Sequence, residues 1–201
     1  MELRHKLLIG TRNAGKFREL AELLTDIPYE VVSLEKLGID FEVDETGSTF
    51  EENAVIKATT YSRMTNLTTI ADDSGLEVDV LGGDPGVRSS RYAGEDVSDG
   101  GRISFLLSKL KDIATHNLTA RFRCVVAVAW PGGRLAIYNG VCNGSITMSP
   151  KGTNGFGYDP IFIVDGFSRT MAELDDLEKN DVSHRAMAIR KAYDALIVEE
   201  V

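Results

Sequence analysis

The chain has 201 residues, 43% apolar and 26% charged, with two cysteines. No apolar run approaches the roughly 20 residues of a membrane-spanning helix, and no signal-peptide core follows Met1–Lys6, so a cytoplasmic protein with no membrane partner is expected. A formal net charge of −9 argues against a nucleic-acid surface, yet a few local cations and a divalent metal can still hold a polyphosphate. Residues 1–201 are read as one domain, with room for two lobes.

Lys6–Thr11 reads as a strand leading into a helix whose apolar residues Phe17, Leu20, Ala21 and Leu24 keep the helical period. The junction Gly10-Thr11-Arg12-Asn13-Ala14-Gly15-Lys16-Phe17 has the spacing of a P-loop, but Phe17 stands where that loop needs a metal-binding hydroxyl. A helix start there would aim N–H groups at an anion, and Lys16 would add a charge. A polar turn ending in a lysine explains the same residues.

Tyr29–Leu34 is a second strand. Thr49 and Glu52 have capping-box spacing and open a helix to about Arg63. Glu45, just ahead of it, would be a metal ligand or an ordinary loop acid; Asn53 and Lys57, one turn apart, would form an exposed polar face. Thr68–Ala71 is strand-like and runs into Asp72-Asp73-Ser74-Gly75, placing two acids at a strand end. Adjacent carboxylates there are costly without a compensating cation, and hard oxygen ligands beside a potential base suit Mg²⁺ and water activation. An Asp-Ser-Gly turn is the plain alternative. Leu76, Val78 and Val80 then alternate as a half-buried strand.

A third helix carries Ile103, Leu106, Leu107 and Leu110. Residues 119–130 and 134 to about 148 form two long strands joined at Pro-Gly-Gly; a two-residue Gly132-Gly133 turn would pair Cys124 with Val141, leaving Cys124 and Cys142 as reduced core thiols. The loop Lys151–Tyr158 combines glycines with Phe156 and Tyr158, which suits close backbone approach and base stacking, or simply a folded hairpin loop. Ile161–Val164 is a short strand, and Ser183 caps a last helix bearing Ile189, Ala192, Tyr193, Leu196 and Ile197. His184 and Arg185 fall in its first turn, where cations oppose the helix dipole unless they serve an anion or a ligand. Long hairpin strands beside strand–helix units point to an α/β fold with a mixed, twisted central sheet and flanking helices.

Six segments in one order resemble the inosine/xanthosine triphosphate pyrophosphatase family: Thr11-x-Asn13-x-x-Lys16, Glu45-x-Gly47-x-Thr49-Phe50-x-Glu52-Asn53-Ala54, Ala71-Asp-Asp-Ser-Gly-Leu76, Pro85-Gly86 through Arg91-Tyr92, Gly155-Phe-Gly-Tyr-Asp-Pro160 and Ser183-His-Arg185. The resemblance implies two lobes around an active-site cleft, a homodimer, and Mg²⁺-dependent cleavage of purine triphosphates to a monophosphate and pyrophosphate. It implies that Thr11, Arg12, Asn13, Ala14, Gly15 and Lys16 hold phosphates. Glu45 and Asp73 would serve the metal, Asp72 would support them, and Asp73 would also activate water. Ser74 would contact substrate. Phe156, Gly157, Tyr158, Asp159, Lys179, His184 and Arg185 would form the base and sugar side. Arg12 departs from the small glycine usual in that family; it would either crowd the phosphate or add a charge-assisted contact.

Overall fold

The computed structural model describes residues 5–113 and 118–197; Met1–Arg4, part of the N-terminal stretch considered above, lie outside it. Strand β1 (Lys6–Ile9) pairs in parallel with β2 (Glu30–Ser33) and with the start of β3 (Thr68–Val78), so that Leu8 faces Val32 on one side and Thr69 on the other. Parallel neighbours need crossovers, and these are α1 (Ala14–Leu23) and α2 (Phe50–Thr65). After α3 (Asp99–Leu110) come β4 (Thr119–Ala129), β5 (Leu135–Ile146) and β6 (Phe162–Val164), the last antiparallel to β5. Helices α4 (Asp176–Val182) and α5 (His184–Ile197) follow. The strand order β2-β1-β3-β4-β5-β6 makes the mixed, helix-flanked sheet that the sequence pattern predicts.

Three local expectations are corrected. Asp72-Asp73-Ser74-Gly75 neither ends a strand nor turns: β3 runs unbroken for 11 residues, and Val80 lies in a helical turn beyond it. β1 pairs with β3 only as far as Ile70, so the neighbour that holds this stretch extended against the turn preference of Asp-Ser-Gly is β4. The β4–β5 loop encloses Pro131, Gly132 and Gly133, not two glycines alone, because Trp130 N–H donates to Arg134 O at 3.0 Å and Gly133 N–H to Trp130 O at 3.1 Å. That places Trp130 opposite Arg134, whose guanidinium covers the indole ring at 4.1 Å. Finally, α4 is a helix the periodicity did not announce; it is only 7 residues long and is fixed by an Asp175–Glu178 capping box. Cys124 and Cys142 are buried free thiols, as their strand positions imply.

The chain divides into two compact units, Met1–Asp73 with Cys124–Gly140 and Arg185–Val201, and Ser74–Arg123 with Val141–His184. In the first, strand alternation sorts the core. Leu7, Ile9 and Ile70 pack with Leu20 and Leu24 near α1 and with Ile189, Ala192 and Leu196 of α5. Leu8 and Val32 point the other way, toward Tyr61 of α2. In the second unit, Leu106 and Leu110 of α3 pack with Leu76, Phe122, Cys142 and Phe162. Each fully buried Leu or Ile stabilises the fold by about 1.5–3 kcal/mol. Among the described residues no helix is long and apolar enough to cross a membrane.

The start of α2 is set by a complete capping box: Thr49 Oγ1 accepts from Glu52 N–H at 3.1 Å, and Glu52 accepts from Thr49 N–H at 3.2 Å. Thr49→Ala should therefore lower stability by about 1 kcal/mol in urea unfolding. An unchanged midpoint would mean that packing alone fixes the helix start.

Candidate active site

Along a strand, neighbouring side chains point to opposite faces, and this separates the two acids of β3. Asp72 shares the face of Ile70, toward α1 and α5; Asp73 shares the face that packs on α2. Both are buried, at 1% and 4% exposure. Their surroundings differ accordingly.

Asp72 Oδ2 is surrounded by donors: Lys16 Nζ at 3.2 Å, Arg185 Nε and Nη2 each at 3.3 Å, and the Cys124 thiol at 3.8 Å. Arg185 Nη1 in turn donates to Glu19 Oε2 of α1 at 2.5 Å. Burial alone would raise the pKa of Asp72, but Lys16 and Arg185, with Lys57, hold its carboxyl well below the usual carboxylate range. The Cys124 thiol is pushed far above its ordinary value, chiefly by burial and then by the charge of Asp72, so it acts as a neutral donor.

Asp73 is placed differently. Asn53 Nδ2 donates to its Oδ2 at 3.0 Å, and Lys57 Nζ stands 3.9 Å from its Oδ1. The same ammonium also pairs closely with Glu45. Burial raises the pKa of Asp73, and Glu45 adds to the rise; Lys57, Lys16 and the Asn53 bond oppose it without cancelling it. Lys57 shows the reverse balance. Burial opposes its charge, yet Asp73, Glu45 and Asp72 together keep its pKa above the ordinary lysine value. Two neighbouring carboxylates thus have pKa values driven apart, the pattern that assigns one to a fixed charge and the other to proton transfer.

The loop before α1 is ordered by its own side chains. Asn13 caps the helix, its Oδ1 accepting from Lys16 N–H at 2.9 Å, so Ala14, Gly15 and Lys16 form the first turn. Thr11 Oγ1 accepts from Asn13 N–H at 3.2 Å. Arg12 is exposed, and its guanidinium donates to the carbonyl of Asp40. Phe17 packs against the core beside Leu20. The P-loop spacing is therefore coincidental.

In the second unit the Gly-rich loop is organised by Asp159. Its Oδ2 accepts from Phe156 N–H at 3.0 Å and from Lys179 Nζ at 2.7 Å. Gly155, at φ 72°, lies where a Cβ would collide with that carboxylate and stand 2.8 Å from Lys179 Nζ, so glycine is required. Lys179 Nζ lies 5.3 Å from the Phe156 ring centroid, and Gly157 N–H donates to Asp99 at 2.7 Å. Tyr158 packs inside the unit, its hydroxyl donating to Ser89 O at 3.1 Å. His184 is buried and stacks on Phe122 at 4.8 Å. Ser74 follows Asp73 on β3 and is half-buried.

Several groups in contact with the candidate residues were not evident from sequence. Asn53 and Lys57 are not an exposed face; both are buried, at 0% and 9%. The signal was present, since Phe50, Ala54, Ala58 and Tyr61 define the buried stripe of α2 and positions 53 and 57 fall within it. Glu19 and Asp99 had no local signal.

Glu45 and Asp73 already converge on one cation, the Lys57 ammonium, so this carboxylate pair fits a divalent ion. Among the described residues no three His, Cys, Asp or Glu side chains converge.

Removing the Arg185 guanidinium leaves Asp72 and Glu19 less compensated in a buried setting. Arg185→Ala should lower unfolding free energy by about 3–5 kcal/mol in urea titration. A loss below about 1 kcal/mol would show that the remaining groups, Lys16 foremost, suffice to neutralise Asp72.

A family model described as the Ham1 family matches residues 7–195. The dITP/XTP pyrophosphatase of Bacillus licheniformis is 50% identical over 186 residues, which is 92% of this chain and 95% of that protein. The dITP/XTP pyrophosphatase of Geobacter sulfurreducens is 47% identical over 191 residues, 95% of this chain and 96% of that protein. Among solved structures, the Ham1 protein of Staphylococcus aureus aligns with a TM-score of 0.85 at 42% identity, covering 96% of this chain and 99% of that one. A HAM1 protein from Coxiella burnetii gives 0.87 at 40% identity, covering 96% and 98%. With the family model matching residues 7–195 and about half the residues identical over nine-tenths of the chain, the chain belongs to the Ham1 family.

Proposed function

We propose that the chain is a nucleoside triphosphate pyrophosphatase acting on non-canonical purines, namely ITP, dITP, XTP and dXTP, and releasing the nucleoside monophosphate and pyrophosphate. The observation that carries this reading is the pair Asp72–Asp73, one acid fixed as a charge by Lys16 and Arg185, the other raised toward a base, in a chain whose relatives are named dITP/XTP pyrophosphatases. Removing such triphosphates keeps them out of DNA and RNA.

The first turn of α1 and Lys16 bind the phosphates, with Thr11 and Asn13 shaping the loop. Arg12, directed to Asp40, contributes charge at the rim of that loop. Asp73 accepts the proton of the attacking water, and Ser74 contacts substrate beside it. Glu45 and Asp73 would hold Mg²⁺, with Asp72 in support, and the ion would supply Lewis-acid stabilisation of phosphate charge. Phe156 offers a stacking face to the base, and Asp159, Lys179 and His184 offer the polar groups around it. Arg185 acts through Asp72. The protein is cytoplasmic, works as a homodimer, and engages no nucleic acid, as its net charge of −9 favours.

A panel of nucleoside triphosphates with Mg²⁺, scored separately for pyrophosphate and orthophosphate, tests the reaction. Pyrophosphate from ITP and XTP, with little from ATP, is expected; orthophosphate as the main product would identify an NTPase of another kind. In Asp73→Asn the amide cannot take a proton, so turnover should fall by about 10²–10⁴-fold while the melting temperature holds. Near-normal turnover would remove Asp73 from the chemistry.

Discrimination against ATP rests on donors facing the 6-oxo group, because an amino group there leaves a buried donor unpaired at roughly 1–3 kcal/mol. Lys179→Ala and His184→Ala should each narrow the ITP-to-ATP ratio of kcat/KM, whereas Phe156→Ala should weaken all purines together. A ratio unchanged in both polar variants would place the donors outside this cluster.

A further inference from the structure

We infer that Asn53 is the positioning residue that aims Asp73 and holds the Glu45 segment against it; this rests on the reading of Asp73 and Glu45 given above. A backbone N–H can only donate. Gly47 N–H, 2.8 Å from Asn53 Oδ1, therefore fixes which end of the side-chain amide is which. Nδ2 is left to donate to Asp73 Oδ2 at 3.0 Å. Asn53 is fully buried, so water does not compete for either bond.

The consequence for Asp73 is a division of labour between its oxygens. Oδ2 is tied to Asn53, and Oδ1 is the oxygen that stands 3.9 Å from Lys57 Nζ. A free carboxylate rotates about its last bond, and the Asn53 bond opposes that rotation here. Gly47 lies two residues after Glu45, so the other half of the amide fastens the segment that brings Glu45 to the same ammonium. The fit leaves no slack. A Cβ at Gly47 would stand 2.6 Å from both Asn53 Oδ1 and Glu52 Cβ, so a larger residue there would displace the amide. The capping box of α2 sets the depth of this first helical turn, and Asn53 N–H itself donates to Thr49 O at 3.2 Å. Groups that orient metal ligands and bases in this way commonly govern metal affinity and rate.

Two variants separate positioning from mere support. Asn53→Ala removes both bonds. Asn53→Asp keeps an acceptor for Gly47 N–H but replaces the donor toward Asp73 with a second acceptor. Mn²⁺ binding to the substrate-free protein is read by electron paramagnetic resonance; melting temperature, and kcat and KM for ITP, are measured at alkaline pH, where the added acid is ionised. Asn53→Ala should bind Mn²⁺ about 10–100-fold more weakly and lose kcat by a similar factor, with KM within about threefold of wild type. Asn53→Asp buries a second carboxylate against Asp73, so it should melt below wild type and, where still folded, lose kcat. Wild-type Mn²⁺ affinity and turnover in Asn53→Ala would overturn the inference, and so would full kcat in Asn53→Asp. Should Asn53→Ala fail to fold, the Asn53→Asp result decides. A wild-type protein that releases no pyrophosphate from any purine triphosphate would refute the functional reading instead, and the Mn²⁺ comparison would still judge Asn53.

Discussion

The alternation of side chains along β3 is the constraint on which the site depends. Asp72 and Asp73 are adjacent in sequence yet face different layers, so each acquires its own set of partners instead of repelling the other across one pocket. A carboxylate without water is costly by several kcal/mol unless cations and donors replace its hydration. For Asp72 the replacement comes from the start of α1, the start of α5 and a thiol on β4. That requirement draws the N-terminal loop, the central strand and the C-terminal helix of the first unit to one oxygen atom. On the other face, α2 provides Asn53 and Lys57 from a mostly apolar stripe.

Much of this was legible from the sequence, for identifiable reasons. Period-2 and period-3.6 patterns gave the strands and the long helices, and capping-box spacing gave the start of α2. Short motifs marked Lys16, Glu45, Asp72, Asp73 and the loop around Phe156. What was hidden shares one property: it depends on partners distant in the chain. Arg185 meets Glu19 across 166 positions, and no local pattern could join them. The continuity of β3 through Asp-Ser-Gly was set by its pairing with β4, against local turn chemistry. Lys57 was misjudged because lysine is usually exposed, although its place in the stripe of α2 was the stronger evidence.

The second unit solves a similar problem by different means. Asp159 and Lys179 are both nearly dry, and each is the other's counter-ion at 2.7 Å. The carboxylate also accepts a backbone N–H, so the pair orders the loop as well as neutralising itself. Its geometry is possible only because Gly155 takes a positive φ beside it. Where the first unit disperses one negative charge over several cations, the second locks Asp159 and Lys179 into a turn.

The stacking of Arg134 on Trp130 has a spectroscopic consequence. Trp130 is the only tryptophan of the chain and lies in the first unit, whereas the second unit has none. Indole emission therefore reports the first unit alone, from a ring buried at the β4–β5 turn and covered by a guanidinium. Circular dichroism, by contrast, averages over both units. Coincident transitions in the two signals would show that the units melt as one, and separated transitions would show that the half carrying Asp72 and Asp73 has a stability of its own.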